Sequence, residues 1–198
     1  MPRLTQTAAG RLVADGARGY SLRGMLTTSR PSADEYTASF AGYVARISDD
    51  EDIVAVLASQ LDDVLARFAT VPESQGQYRY APGKWSLKDV VGHLSDTERA
   101  FGYRALSIGR GDTVPLPSFD DQGWVAELGA DGRTLADMVE EWGHVRRATL
   151  AFFGHLPAAA WPRRGIANTH PISVRALAYV IAGHTRHHLE VVEARYLG

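Results

Sequence analysis

Two histidines near the C-terminus have the spacing of metal ligands. His184 and His188 lie four residues apart in the segment Gly-His-Thr-Arg-His-His-Leu-Glu. On a helix, side chains four residues apart lie one turn above the other on the same face, so both imidazoles can reach one point. Neutral imidazole is the commonest metal ligand in proteins. The pair therefore predicts a metal site, and a third ligand would give it the composition of a catalytic site.

The same two histidines interrupt an apolar stripe, where a helical bundle would normally carry leucine or isoleucine. The stripe follows steps of three or four residues through Val174, Leu177, Ile181, His184, His188 and Val191. His187 borders the stripe and is an alternative ligand to His188. The four-residue spacing and the position within the stripe both favour His188.

His93, far upstream, is the candidate for the third ligand. On the residues alone it flanks an apolar stripe, which is more typical of a border residue than of a ligand. Glu98 lies inside that stripe, between Leu94 and Phe101. A carboxylate buried there needs a partner. Two interpretations stay open: Glu98 accepts a hydrogen bond from a metal-bound histidine, or it forms a salt bridge between helices, for instance with Arg175.

Four amphipathic segments must position these side chains. Each follows a residue that typically caps a helix, and each continues with apolar residues every three or four positions. The capping residues are Ser48, Ser86, Thr134 and Ser173. No comparable alternating strand pattern is present, so the sequence predicts an all-α four-helix bundle. The segment 109–132 is long and rich in Gly, Pro and Asp, which predicts a crossover loop between helices two and three, functional or with a short helix of its own.

Composition excludes several classes of protein. The chain has 198 residues, no cysteine and a formal net charge of −2. This length suits one domain, and the charge gives no electrostatic footprint for nucleic acid. Without cysteine, disulfides, protein thiolate catalysis and Cys-based zinc sites are excluded; a cytoplasmic location is expected. No apolar run approaches the roughly 20 residues of a membrane span.

Residues 1–24 differ in composition from the rest of the chain. They carry Arg3, Arg11, Arg18 and Arg23 but a single acid, Asp15. The segment has no helical stripe, and ordering it would cost chain entropy with little apolar burial in return. We predict an N-terminal extension at residues 1–24, followed by the functional domain at residues 25–198. An Arg-rich organellar transit peptide is the alternative.

Four motifs occur in order along the chain: Tyr80-Ala81-Pro82-Gly83-Lys84-Trp85-Ser86, His93-Leu94-Ser95-Asp96-Thr97-Glu98-Arg99, Arg175-Ala176-Leu177-Ala178-Tyr179 and Gly183-His184-Thr185-Arg186-His187-His188-Leu189. Together they resemble the DinB-like metalloproteins, the superfamily that includes bacillithiol and mycothiol transferases. Arg30-Pro31 and Glu35-Tyr36 match the usual start of the domain. The resemblance covers about residues 25–198.

The resemblance implies a four-helix bundle that binds one divalent metal ion. One histidine comes from helix two and a pair four residues apart from helix four, which here are His93, His184 and His188. Zinc or nickel is the metal expected in crystals. The family often has Asp directly after the first histidine of the pair and Gln two residues after the second. This chain departs from that pattern, with Thr185 and Glu190 at these positions.

The resemblance also implies a function. We expect a thiol S-transferase that joins a low-molecular-weight thiol to an electrophilic substrate, with no nucleic-acid or membrane partner. A metal lowers the pKa of a bound thiol and yields the thiolate nucleophile. One alternative is a metal-dependent hydrolase with Asp120 or Asp121 as the base, and another is a non-enzymatic, stress-induced metal-binding protein. Relatives are commonly homodimers, and Met138, Trp142 and Phe152 supply apolar surface for the core and for such a contact.

Overall fold

A computed structural model describes residues 28–198, and the predicted extension at residues 1–24 lies outside the described part. The helices are α1 (Ala41–Val44), α2 (Ile53–Phe68), α3 (Leu87–Gly109), α4 (Asp121–Ala126), α5 (Leu135–Phe153) and α6 (Val174–Val192). A hairpin of β1 (Arg164–Ala167) and β2 (His170–Ser173) precedes α6, and a π-helical turn, Glu193–Leu197, follows it. The prediction of an all-α four-helix bundle is confirmed, with α2, α3, α5 and α6 as its members.

Three of the four predicted helix starts are confirmed. The capping side chain accepts a hydrogen bond from the backbone N–H three residues later, which satisfies one of the free donors of the first turn. These caps are Ser86 for α3, Thr134 for α5 and Ser173 for α6. Local sequence therefore determines where three of the bundle helices begin.

The predicted start of the first bundle helix at Ser48 is wrong by one turn. The α2 helix is capped by Asp52, whose side chain accepts from the N–H of Ala55. Ser48 does donate its N–H to the carboxylate of Glu51, as a capping box requires. However, Glu51 also accepts a hydrogen bond from Arg186 of α6 at 2.8 Å, and this long-range pair accompanies a turn rather than a helix.

The bundle has an order in which consecutive helices are not always neighbours. Both α2 and α3 pack against α5 and α6, so α2 and α3 face each other across a diagonal, as do α5 and α6. The α3 and α5 helices run in the same direction: Arg99 pairs with Glu141, and further along Gly109 approaches Phe152. The connection from residue 110 to residue 134 must therefore return along the bundle.

This connection lies along α3 in the reverse direction. Near its beginning, the carbonyl of Pro117 accepts a hydrogen bond from Arg104, and near its end Leu128 packs on Gly92. A Cβ on Gly92 would lie 2.1 Å from a terminal methyl of Leu128, so a larger residue there would have to displace the Leu128 side chain. The connection carries α4, and it forms a wall beside the histidine-bearing face of α3.

The sequence pattern does not indicate the hairpin. Its strands pair antiparallel around a two-residue turn, in which Asn168 and Thr169 have φ of 49° and 64°. It packs on the end of α3, where Gly165 lies close to Ile108. The backbone of Leu116 donates to the carbonyl of Ile166, which joins the hairpin to the long connection.

The core accounts for two of the residues expected to serve a dimer contact. Met138 and Trp142 are 1% and 0% exposed and therefore lie in the core. Phe152 is partly buried against it. Within residues 28–198, none of the helices has the length and apolar character of a membrane span.

Candidate metal centre

Three histidines from two helices converge at one point between α3 and α6. The Nε2 atom of His184 lies 2.9 Å from Nε2 of His93 and 3.1 Å from Nε2 of His188. All three ligand atoms lie within 4.8 Å of one another. His93 and His184 are buried, and His188 is partly buried. The structure therefore brings together all three predicted ligands.

The spacing of these nitrogens fits a divalent metal. At a zinc–nitrogen distance of about 2.0–2.1 Å, two ligands separated by 90–110° have nitrogens about 2.9–3.4 Å apart. The two Nε2 separations given above match that range. Imidazole also suits zinc, copper, iron and nickel, so the donor set does not select one metal.

His187, the alternative ligand, has another partner. Its Nδ1 accepts a hydrogen bond from Arg46, whose Nη2 lies at 3.2 Å, and its ring lies 5.7 Å from that of Tyr43. It does not belong to the cluster of converging nitrogens. The geometry favours His188 over His187, as the stripe position predicted.

Burial keeps the three imidazoles neutral. Burial lowers the pKa of His93 to about 4, although the nearby charge of Asp121 opposes the shift. It lowers the pKa of His188 to about 3, with further contributions from His93 and His187. The pKa of His184 is also lowered by burial and by the neighbouring histidines. Neutral imidazole is the form that binds a metal, so the site is prepared for ligation at neutral pH.

Thr97 is placed to orient His93. Its hydroxyl lies 3.3 Å from Nδ1 of His93, one helical turn away on α3. A hydrogen bond at Nδ1 directs the Nε2 lone pair toward the other two histidines, and such partners usually fix the tautomer of a metal-binding imidazole. Thr97 was noted in the sequence only as part of a motif.

Close packing of α1 on α6 places an aromatic ring beside the site. A Cβ on Gly183 would lie 2.0 Å from the carbonyl oxygen of Tyr43, so only glycine permits this contact. The Tyr43 ring consequently lies 5.3 Å from the His184 ring in an edge-on arrangement. On the opposite side, the Trp85 ring lies 4.7 Å from that of His93.

Glu98 does not bind a metal-site histidine, and its partner is not Arg175. It forms a two-bond salt bridge with Arg146 of α5, with distances of 2.8 and 2.9 Å. Arg175 instead pairs with Glu35. The helix–helix interpretation of Glu98 is therefore the correct one, although Arg175 is the wrong partner.

Arg146 joins all four helices of the bundle directly behind the histidines. Besides Glu98 of α3, its guanidinium donates to the carbonyl of Leu57 and the side chain of Gln60 on α2. It also donates to the hydroxyl of Thr185 on α6 at 2.9 Å. Thr185 stands where the family often has Asp, and its hydroxyl thus accepts a hydrogen bond from the buried guanidinium of Arg146. Glu190, the other departure, pairs with Arg46 near the surface.

The three histidines line one end of a cavity of about 390 Å³, which we call the histidine cavity. Its walls come from α1, α3, α6, the hairpin turn and the long connection. Besides the histidines they include Phe40, Tyr43, Trp85, Phe101, Arg104, Phe119, Asp121 and Asn168. Of the two candidate bases, Asp121 lines this cavity, whereas Asp120 caps α4 by accepting from the N–H of Gly123.

A second cavity of about 290 Å³ adjoins the histidine cavity at Trp85, and we call it the side cavity. The two cavities share four lining residues, which are Trp85, Gln122, His187 and His188. Tyr80 and Tyr196 also line the side cavity, and the Tyr196 hydroxyl donates to the carbonyl of Trp85. The His188 imidazole is therefore reached from two directions.

Sequence reasoning missed Arg146 and Arg104, because arginine on an amphipathic helix is usually exposed. Arg146 lies four residues after Trp142 and three before Thr149, on the apolar stripe of α5. That position could have indicated a buried Arg146, because Glu98 on another apolar stripe needed a partner. Arg104 carries the same kind of signal on α3, because it lies three residues after the apolar Phe101.

Comparison with known proteins identifies the family. The sequence model of the DinB superfamily matches residues 57–192, which is more than half of the chain. The chain belongs to the DinB superfamily. The match spans His93, His184 and His188.

A solved structure supports the fold. YfiT from Bacillus subtilis, described as a probable metal-dependent hydrolase with an unusual four-helix bundle topology, is similar to this chain with a TM-score of 0.65. The sequences are 17% identical, and the match covers 75% of this chain and 89% of YfiT. At that identity the likeness shows the fold. No curated protein sequence matches the chain.

Proposed function

We propose that this DinB superfamily member is a metal-dependent thiol S-transferase, with His93, His184 and His188 as the ligands of one divalent metal. The observation that carries the proposal is the meeting of two cavities at His188 and Trp85. A transferase must bring together two organic substrates, a thiol and an electrophile, whereas a hydrolase needs one substrate and water. Two adjoining cavities at one ligand suit the two-substrate reaction.

The choice of thiol over water also rests on the groups around the histidines. A divalent metal lowers the pKa of a bound thiol, so the thiolate forms at neutral pH. Within residues 28–198, no carboxylate forms a hydrogen bond with the three rings. Activation of water usually calls for a positioned base, whereas a thiol of pKa about 8.5 needs little help to ionise.

The chain's own residues hold the reacting groups. In our proposal, Thr97 orients His93, burial keeps the imidazoles neutral, and Trp85 separates the two substrates until they meet at His188. The thiol sulfur attacks the electrophilic carbon of the second substrate. A sulfur–carbon bond forms, the leaving group departs with its bonding electrons, and the thiol proton passes to solvent.

Cobalt substitution tests the proposal. We expect the Co²⁺-loaded protein to develop a sulfur-to-cobalt charge-transfer band when a small thiol is added, and to catalyse conjugation of that thiol to an aryl halide. Variant His188→Ala should lose both signals. His144→Ala is the matched control, because His144 is an exposed histidine on α5. Absence of the band in the wild-type protein, with cobalt bound, would contradict the proposal and favour a purely structural metal.

Hydrolysis is the second candidate, and one observation favours it. The Asp121 carboxylate lines the histidine cavity, and its charge raises the pKa of Tyr43 after the larger effect of burial. A carboxylate in this position could accept a proton from water. Ester hydrolysis by the metal-loaded protein without thiol, abolished in Asp121→Asn, would support this candidate over the transferase.

A further inference from the structure

Arg104 is a buried cation that the proposed reaction does not use. Arg104 is only 6% exposed, yet it lines the histidine cavity. Among the described residues, no carboxylate lies within ion-pair distance of its guanidinium. A buried charge without a counter-charge is unfavourable. Such an arrangement is expected where a ligand brings the missing negative charge.

The protein leaves most of this guanidinium available. Of its five N–H donors, one is used by the carbonyl of Pro117, at 2.7 Å. The group lies 4.9 Å from the ring centre of Phe119 and 5.7 Å from that of Phe101. These rings hold the planar group in position through cation–π contacts, and burial lowers its pKa. A held guanidinium with free donors matches a carboxylate, which can accept two parallel hydrogen bonds.

Arg104 lies toward the opposite end of the histidine cavity from the metal ligands. His93, Thr97, Phe101 and Arg104 follow one stripe of α3, and all four line the cavity. At about 1.5 Å of rise per residue, the Cα atoms of His93 and Arg104 are about 16 Å apart along the helix. Among the described residues that line the cavity, Arg104 is the only arginine or lysine. It therefore supplies the counter-charge for an anionic group that lies away from the metal ligands.

We propose that Arg104 binds a carboxylate of the substrate in the histidine cavity. Combined with the proposed function, on which this part rests, the thiol substrate carries its sulfur and its carboxylate at opposite ends, several bonds apart. The sulfur faces the three histidines, and the carboxylate pairs with Arg104. Arg104 thus selects anionic thiols over neutral ones of the same size.

The first test uses the unmutated, Co²⁺-loaded protein. A series of ω-mercaptoalkanoates of increasing chain length is titrated by the sulfur-to-cobalt band, beside the corresponding neutral amides. We expect the carboxylates to bind about tenfold more tightly than the amides at an intermediate length. The advantage should fall in shorter members that cannot span the cavity, apart from mercaptoacetate and 3-mercaptopropionate, which chelate cobalt through both sulfur and carboxylate. Equal affinity of acid and amide at every length would overturn the proposal.

Variants then assign the preference to Arg104. In Arg104→Gln the carboxylate advantage should fall to within about twofold, and Arg104→Lys should restore part of it. Arg110→Gln is the matched control, because Arg110 lies on the same helix end over Phe152 and does not line the cavity. A carboxylate advantage that persists in Arg104→Gln would show that the metal or another group binds the anion, which also overturns the proposal.

A thiol-free arm separates this inference from the proposed function. If no thiol produces the band, the transferase proposal fails, but hexanoate and hexanamide can still be compared by calorimetry on the metal-loaded protein. A preference for hexanoate that is lost in Arg104→Gln supports an anion site in the cavity independently of thiol chemistry. Equal binding, or no binding, of the two compounds contradicts it.

Discussion

The hydroxyl of Thr97 offers a small, specific perturbation of the site, because its hydrogen bond is to Nδ1 of His93, the ring nitrogen that does not face the other two histidines. We predict that Thr97→Val, which keeps the shape of the side chain, weakens metal binding about tenfold, since loss of such a partner typically costs 10–100-fold in affinity. Competition with a chromophoric chelator measures the change. Thr149→Val is the control, because the Thr149 hydroxyl bonds to the carbonyl of Val145 within α5. Equal losses in both variants would contradict a role for Thr97.

Residues of the candidate site differ in how far the sequence could predict them. His184 and His188 were predicted from their own spacing, because one helix fixes their relation. His93 was only a border residue until the family resemblance was considered, since its relation to α6 is set by how two helices pack. Glu98 was recognised as anomalous, but its partner lies on a third helix. Pattern reasoning within one helix cannot supply such a contact.

At the level of the helices, the Arg146 network makes a strong prediction about stability. Arg146→Met should lower the free energy of unfolding by about 3–5 kcal/mol, because it leaves Glu98 buried without its counter-charge. Both side chains are almost fully buried, at 0% and 3% exposure, so solvent screening is minor. Chemical denaturation monitored by circular dichroism measures the difference.

A double variant provides the control for this network. Replacing both partners, as in Glu98→Gln with Arg146→Met, removes the unpaired charge and should recover part of the lost stability. If the two single effects simply add in the double variant, the two residues do not act as a pair. Arg147→Met is a further control, because Arg147 is the exposed neighbour of Arg146 on the same helix. Its replacement should change the free energy of unfolding little.

The segment that precedes α1 is attached to α6 by a pH-sensitive ion pair. Burial would raise the pKa of Glu35, but hydrogen bonds from Arg175, Ser173 and Ser32 lower it from 4.5 to about 2. The folded state therefore favours the charged form of Glu35. The stabilisation that this carboxylate provides is fully present above pH 4.5 and is lost as the pH falls toward 2.

The corresponding prediction concerns Glu35→Gln. The variant should have a lower free energy of unfolding than the wild type at neutral pH. This difference, the gap, should narrow steadily below pH 4.5, because the wild-type carboxyl becomes neutral as well. Urea unfolding at a series of pH values between neutrality and about 3 measures the gap. A gap that is constant over this range would show that the charge of Glu35 does not stabilise the fold.

Elements were predictable to the extent that their signals are local. Ser86, Thr134 and Ser173 cap their helices through residues three positions away, and all three starts were predicted. At Ser48 the local hydrogen bond is present, but Arg186 of α6 also binds its partner Glu51. The hairpin was not predicted, because strands of four residues each are too short to show a clear alternating pattern. Its turn, Asn168–Thr169, also lacks the glycine typical of such turns.

For the whole molecule, the homodimer stays a prediction, and the structure limits the face that could serve it. Met138 and Trp142 belong to the core, so α5 cannot present them to a partner. Exposed apolar side chains are found instead on α3, at Tyr103 and Leu106. We predict a dimer by light scattering at micromolar concentration, dissociated by Tyr103→Lys with Leu106→Lys. A monomer at all concentrations would contradict the dimer.

The domain boundary also belongs to this scale. We propose residues 25–198 as the functional domain, and the contacts seen at the start of the described chain fit that proposal. Ser29 binds Arg175 of α6, and Arg30 donates to the carbonyl of Ile47 and to Asp49. The order of the bundle helices could not be predicted, because amphipathic stripes do not specify which helices are neighbours.

The central claim is that His93, His184 and His188 hold one divalent metal ion in a cavity open to substrate. Anomalous diffraction from zinc-soaked crystals, collected on both sides of the zinc absorption edge, tests it most directly. We predict one peak between α3 and α6, about 2.0–2.1 Å from each of the three Nε2 atoms. No peak between these rings, or a peak bound by His187 in place of His188, would contradict the assignment.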